Sequence, residues 1–115
     1  MPLAAVVVGL AAVGTATAAR PSLTVAPSVA RPGQAVVIRG NADGCPRGDT
    51  VFVISRAFAP RHEFAGVPAV LARVQPGGLF RATTRIPLTR RPSTYTVTGR
   101  CGGGNLGILR KLVVR

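Results

Sequence analysis

Downstream of Ser22 the chain runs as short stretches of alternating apolar and polar residues, each cut off by Pro, Gly or Asp before a helical period builds over three turns. Side chains of a strand point to opposite faces with period two, so the alternation predicts strands with one buried and one solvent-facing side. Seven are predicted: Ser22–Ala26, Ala35–Arg39, Thr50–Ser55, Ala69–Val74, Leu79–Ile86, Thr94–Cys101 and Gly107–Val114. The turn signals between them are RPGQ at 31–34, NADGCPRGD at 41–49, PGG at 76–78, TRRPS at 89–93 and GGGN at 102–105. Punctuation at this spacing predicts an all-β sandwich or barrel.

Phase assigns the faces. In the sixth strand Tyr95, Val97, Gly99 and Cys101 share the core side, while Thr94, Thr96, Thr98 and Arg100 share the other. In the fifth, Phe80, Ala82, Thr84 and Ile86 face in, and Arg81, Thr83 and Arg85 face out. The third strand, TVFVIS, is apolar on both sides, which predicts a central strand or one covered by a loop.

The first nineteen residues break this pattern. They carry no charged side chain, an apolar run from Leu3 to Val13 and a small-residue tail with Ala16-Thr17-Ala18 in A-x-A form. That run is shorter than the roughly 20 apolar residues a membrane-spanning helix needs. Residues 1–19 are therefore expected to be a signal peptide cleaved near Ala18 or Ala19, followed by one domain over 20–115. The mature protein is expected to be secreted or held in the cell envelope, with no membrane span. In an exported domain an isolated cysteine pair forms a disulfide, so Cys45 and Cys101 are expected to be bonded. Alternating strand directions put the start of the third strand and the end of the sixth at the same end of the sandwich.

Several motifs occur together and in order: Pro32-Gly33, Gly44-Cys45-Pro46, Gly48, Phe80, Tyr95 and Cys101, within LTVAPSVARPGQAVVIRGNADGCPRGDTVFV, GGLFRATTRIP and STYTVTGRCGG. Over nearly all of 22–114 the chain resembles the Ig-like domains common in secreted proteins of high-GC Gram-positive bacteria. The resemblance implies a seven-stranded Ig-like Greek-key β-sandwich with one disulfide. It implies no single activity, since such domains are structural, adhesive or presenting modules. The chain departs from the family at Gly78-Leu79, where Asp-Gly is usual before the Phe, and at Arg91-Pro92-Ser93, where a Pro-Gly turn would precede Tyr95. With no Trp, it also lacks the buried Trp of antibody domains.

Composition adds a charge problem. Fifteen basic residues, all Arg except Lys111, stand against Asp43, Asp49 and Glu63, for a net charge of +12. Such an excess favours polyanions, although codon bias in a GC-rich genome produces the same Arg excess on a merely solvated face. One His and three scattered acids do not assemble a nucleophile, a base and an orienting group, so the chain is expected not to be an enzyme and to hold no cofactor. His62 beside Glu63 falls short of the three or four ligands of a zinc site and reads as solvated loop, so no metal is expected. GRCGGGNLG at 99–107 precedes a strand, not a helix, and reads as a hairpin instead of a phosphate loop. Arg47-Gly48-Asp49 spells an integrin-binding tripeptide, but Pro46, Gly48 and Asp49 are turn residues and account for the segment without a receptor.

If neighbouring strands alternate in direction, three connections meet at one end and gather Arg31, Arg56, Arg61, Arg90 and Arg91, with Phe58 and Phe64 among them. That end is a candidate site for an anionic cell-wall or extracellular polymer: teichoic acid, acidic polysaccharide or nucleic acid. The apolar segment RAFAPRHEFAGVPAV leaves another reading open, a small-ligand carrier similar to the neocarzinostatin apoproteins, although this chain is basic where those are acidic and lacks their second cysteine pair.

Overall fold

A computed structural model describes residues 20–101 and 104–115; the expected signal peptide lies outside the described residues. The strands are β1 (Ser22–Ala26), β2 (Val29–Ala30), β3 (Ala35–Asn41), β4 (Thr50–Ile54), β5 (His62–Phe64), β6 (Val67–Arg73), β7 (Leu79–Arg85), β8 (Ser93–Cys101) and β9 (Gly104–Val114). A 3-10 turn, Pro76–Gly78, joins β6 to β7. One sheet has the order β1-β3-β7 and the other β2-β9-β8-β4-β6-β5. All pairings are antiparallel except that of β2 with β9. Apart from the brief excursion of β2 onto the second sheet, the chain changes sheets between β3 and β4, between β6 and β7, and again between β7 and β8. That is the wiring of an Ig-like Greek-key sandwich.

Alternation builds the core. In β7 the odd-numbered residues from Leu79 to Arg85 are exposed and the even-numbered ones buried, as the sequence phase predicts. Leu23, Ile38, Val51, Val53, Val97 and Leu112 meet between the sheets with no exposed surface. Full burial of each such side chain is worth about 1.5–3 kcal/mol. One inward position, Gly40, needs the absence of a side chain, because a Cβ there would lie 2.6 Å from the Phe80 ring and run into the Ser22 carbonyl.

All seven expected strands are present, and two short ones accompany them. β2 follows the Pro27-Ser28 break and lets the first strand continue onto the second sheet beside β9. β5 forms a hairpin with β6 through Ala65 and Gly66, both at positive φ. His62 and Glu63 therefore belong to an edge strand, not to the expected loop, although both are exposed. β4 lies between β6 and β8, and its outward Phe52 meets Phe64 of β5 edge-to-face with ring centroids 5.4 Å apart. Phe64 is thus half-buried, and Phe58, expected among exposed loop residues, is fully buried in the core. Aromatic burial outweighs the polar setting of their neighbours.

Cys45 and Cys101 are bonded, with Cα atoms 6.2 Å apart, and tie the β3–β4 connection to the end of β8. In the turn after Cys45 the Asp49 N–H donates to the Pro46 carbonyl (3.1 Å), with Gly48 at φ 92°. Gly48 N–H donates to the Val74 carbonyl, and Val74 N–H to the Asp49 carbonyl. The Arg-Gly-Asp tripeptide is therefore a turn stitched to the end of β6. At the opposite end, the Tyr95 hydroxyl donates to the Arg91 carbonyl (2.7 Å), a corner bond of the kind found where Ig-like sandwiches enter their sixth strand.

Candidate functional site

The three connections expected to meet at one end do meet, and main-chain bonds join them. Gly33 N–H donates to the Ile86 carbonyl (2.6 Å), which joins the turn before β3 to the segment after β7. Ala59 N–H donates to the Arg85 carbonyl (3.2 Å), which brings in the β4–β5 connection. Arg31, Arg56, Arg61 and Arg91 stand exposed on these segments. Among the described residues none of the four has an ion-pair partner. Arg90 differs from them. Half-buried, it donates from its guanidinium to the Phe58 carbonyl (3.0 Å) and bolts two connections together. Four of the five predicted arginines thus stand exposed, and the fifth, half-buried, also holds the platform together.

A second concentration of charge follows from strand register. Arg39 of β3 lies directly opposite Arg81 of β7. Ile86 N–H bonds the Gln34 carbonyl at one end of this pair of strands, and Ala42 N–H bonds the Gly78 carbonyl at the other. Antiparallel pairs alternate, so even-numbered β7 residues make the ladder bonds and Arg39–Arg81 is a non-bonded pair, with Cα atoms about 4.5 Å apart. Like charges directly opposite repel. The outer face of this sheet carries Arg39, Arg81 and Arg85 with Ser22, Thr24 and Thr83, and no acid. Sequence phase marks Arg81 and Arg85 as outward; that Arg39 lies opposite Arg81 needs the register, which no local pattern encodes.

Two depressions adjoin these residues. A shallow one of about 330 Å³ is lined by Ser22, Thr24, Arg39, Leu79 and Arg81 over the buried edge of Phe80. A larger cleft of about 500 Å³ opens at the sandwich edge between β7 and the β5–β6 hairpin. Arg61, His62, Thr83 and Arg85 form its polar rim, and Ala69, Val70 and Leu71 contribute apolar wall. Arg85 also donates to the Gly33 carbonyl (2.9 Å), which fixes its guanidinium near the rim.

No family model matches the chain, and no curated protein matches it. Among solved structures it is similar to the Pseudomonas fluorescens alkylpurine DNA glycosylase AlkC bound to DNA containing an abasic site analogue. Identity is 20%, the TM-score is 0.48, and the match covers 82% of this chain and 29% of that one. The chain spans less than a third of that enzyme, and a likeness this distant carries no functional conclusion.

Proposed function

We propose that the protein is a non-catalytic, exported Ig-like module, secreted or held in the cell envelope, that binds an anionic polymer. The carrying observation is the bonded platform that fixes Arg31, Arg56, Arg61 and Arg91 as exposed cations without ion-pair partners. Main-chain bonds spare the connections the cost of ordering their backbone on meeting a ligand, and the Arg fork matches sulfate, phosphate and carboxylate. The disulfide supports export, because such bonds persist in oxidising compartments. Among the described residues no helix is long and apolar enough to cross a membrane. The motif pattern supports membership of the bacterial Ig-like domains, whose members serve as structural and binding modules.

The test is retention of the oxidised protein on heparin and on phosphocellulose as salt is raised. Retention should fall steeply, since binding releases condensed counterions. Elution at the same salt as a neutral Ig-like domain would overturn the proposal. The carrier reading has less support, because the one long apolar connection spends Phe58 on the core and Phe64 on covering Phe52.

A further inference from the structure

The exposed tip is compact, whereas a polymer needs length, and the β7 face supplies it. Arg61 and Arg85 share the edge cleft, Arg85 and Arg81 stand four residues apart on the outward side of β7, and Arg81 faces Arg39 across the strand pair. At about 3.4 Å per residue, Arg81 and Arg85 are some 14 Å apart. The four cations therefore form a track running from the platform down the edge of the sandwich, with a depression at each end. From the geometry we infer that this track, Arg61–Arg85–Arg81–Arg39, is the binding surface for a linear acidic polysaccharide, with sulfate or uronate groups on the arginines and sugar hydroxyls against Ser22, Thr24 and Thr83. The inference rests on the proposed polyanion binding and names its surface and ligand class.

Three observations select this ligand. The Arg39–Arg81 pair is a repulsion built into the sheet, and an anion bridging both guanidinium groups relieves it. Between the cations the hydroxyls of Ser22, Thr24 and Thr83 stand beside the exposed Leu79 side chain and the edge of Phe80, a shallow mixed surface that suits both the hydroxyls and the C–H faces of a sugar chain lying flat. The track also offers no exposed aromatic: Phe58 and Phe80 are buried, Phe52 and Phe64 pack edge-to-face on the opposite sheet, and Tyr95 is half-buried and bonded to the Arg91 carbonyl. Single-strand nucleic-acid binders stack successive bases on such rings.

The test uses the oxidised full domain and a fluorescent heparin dodecasaccharide as the acidic-polysaccharide probe, with affinity measured across a salt series. Arg39→Ser with Arg81→Ser is compared with the charge-matched pair Arg47→Ser and Lys111→Ser, which lie off both the track and the tip, and with Arg31→Ser and Arg91→Ser at the tip. The track variant should bind about tenfold more weakly, with the slope of log affinity against log salt reduced by about 1.5 to 2, while the off-track variant stays within twofold of wild type. Melting curves establish that each variant is folded. Equal losses in the track and off-track variants would mean that total charge alone governs binding and would overturn the inference. Loss confined to the tip variant would overturn the track but leave polyanion binding standing. Tighter binding of a single-stranded DNA of equal charge would overturn the ligand class, and a wild type that binds nothing would overturn the functional reading as well.

Discussion

At single residues, close approach and like-charge contact outweigh intrinsic preference. Gly40 lies in a strand interior, where Gly is normally the weaker choice, yet a methyl group there would be forced against the Phe80 ring and the Ser22 main chain. Phe80 is buried and β1 is fixed by its pairing with β3, so neither neighbour yields cheaply. Gly40→Ala is expected to destabilise the domain by about 1–3 kcal/mol, the usual range for overpacking, measured by urea unfolding. A stability equal to wild type would show that β1 can lift off. The opposite sign is expected at Arg81. Replacing it with Thr removes the charge facing Arg39 and adds a residue that favours strands, so Arg81→Thr should gain about 0.5 kcal/mol at low salt. That gain should shrink as salt is added, and a gain insensitive to salt would assign it to packing instead.

Among the elements, those with strong periodicity were legible in the sequence and those made by register or contact were not. The alternation of 79–85 and 94–101 predicts both faces of β7 and β8, and the doubly apolar TVFVIS predicts a central strand or one covered by a loop, of which β4 is the central one. The arginines at the tip were legible too, because loop ends follow from strand direction alone. That Arg90 and not Arg91 turns inward to Phe58 is not legible, since nothing in TRRPS says which of two adjacent arginines makes that bond. β5 was missed because its turn is Ala65-Gly66, without the Asn-Gly or Asp-Gly that marks a two-residue hairpin. Ala65 sits at φ 52°, a left-handed conformation that costs an ordinary L-residue roughly 1–2 kcal/mol. Asn tolerates it better, so Ala65→Asn should stabilise the hairpin by about 0.5–1 kcal/mol, read as a higher urea midpoint with an unchanged slope. β7 shows how an edge can be guarded. Its outer main-chain groups are met by Gln75 N–H at Leu79 and by Ala59 N–H at Arg85, which leaves Arg81 and Thr83 at the open stretch. A short open edge bearing positive charge resists pairing with a second copy.

For the molecule as a whole, one cross-link and one large charge imbalance act in opposite directions. The disulfide closes a loop of 56 residues, worth about 4 kcal/mol on the chain-entropy account, a large fraction of the 5–15 kcal/mol that holds a typical domain together. Reduction should therefore lower the melting temperature by well over ten degrees, given about 4–8 °C per kcal/mol for a domain of this size. A shift of only a few degrees would mean that the sheets alone sustain the fold. Against this, a net charge of +12 spread over a small sandwich repels itself, and the three acids offset little of it. Salt screens charges beyond about 10 Å at 0.1 M, so the oxidised protein should melt at a higher temperature as salt rises, while its hold on a polyanion weakens over the same range. Added heparin at low salt should raise the melting temperature as well, because a ligand of the folded state shifts the equilibrium toward it. That gain should fade as salt approaches the concentration that elutes the protein from heparin. If the heparin effect survived at high salt, contacts other than charge would carry the binding. If salt alone lowered the melting temperature, self-repulsion would not limit the stability of this fold.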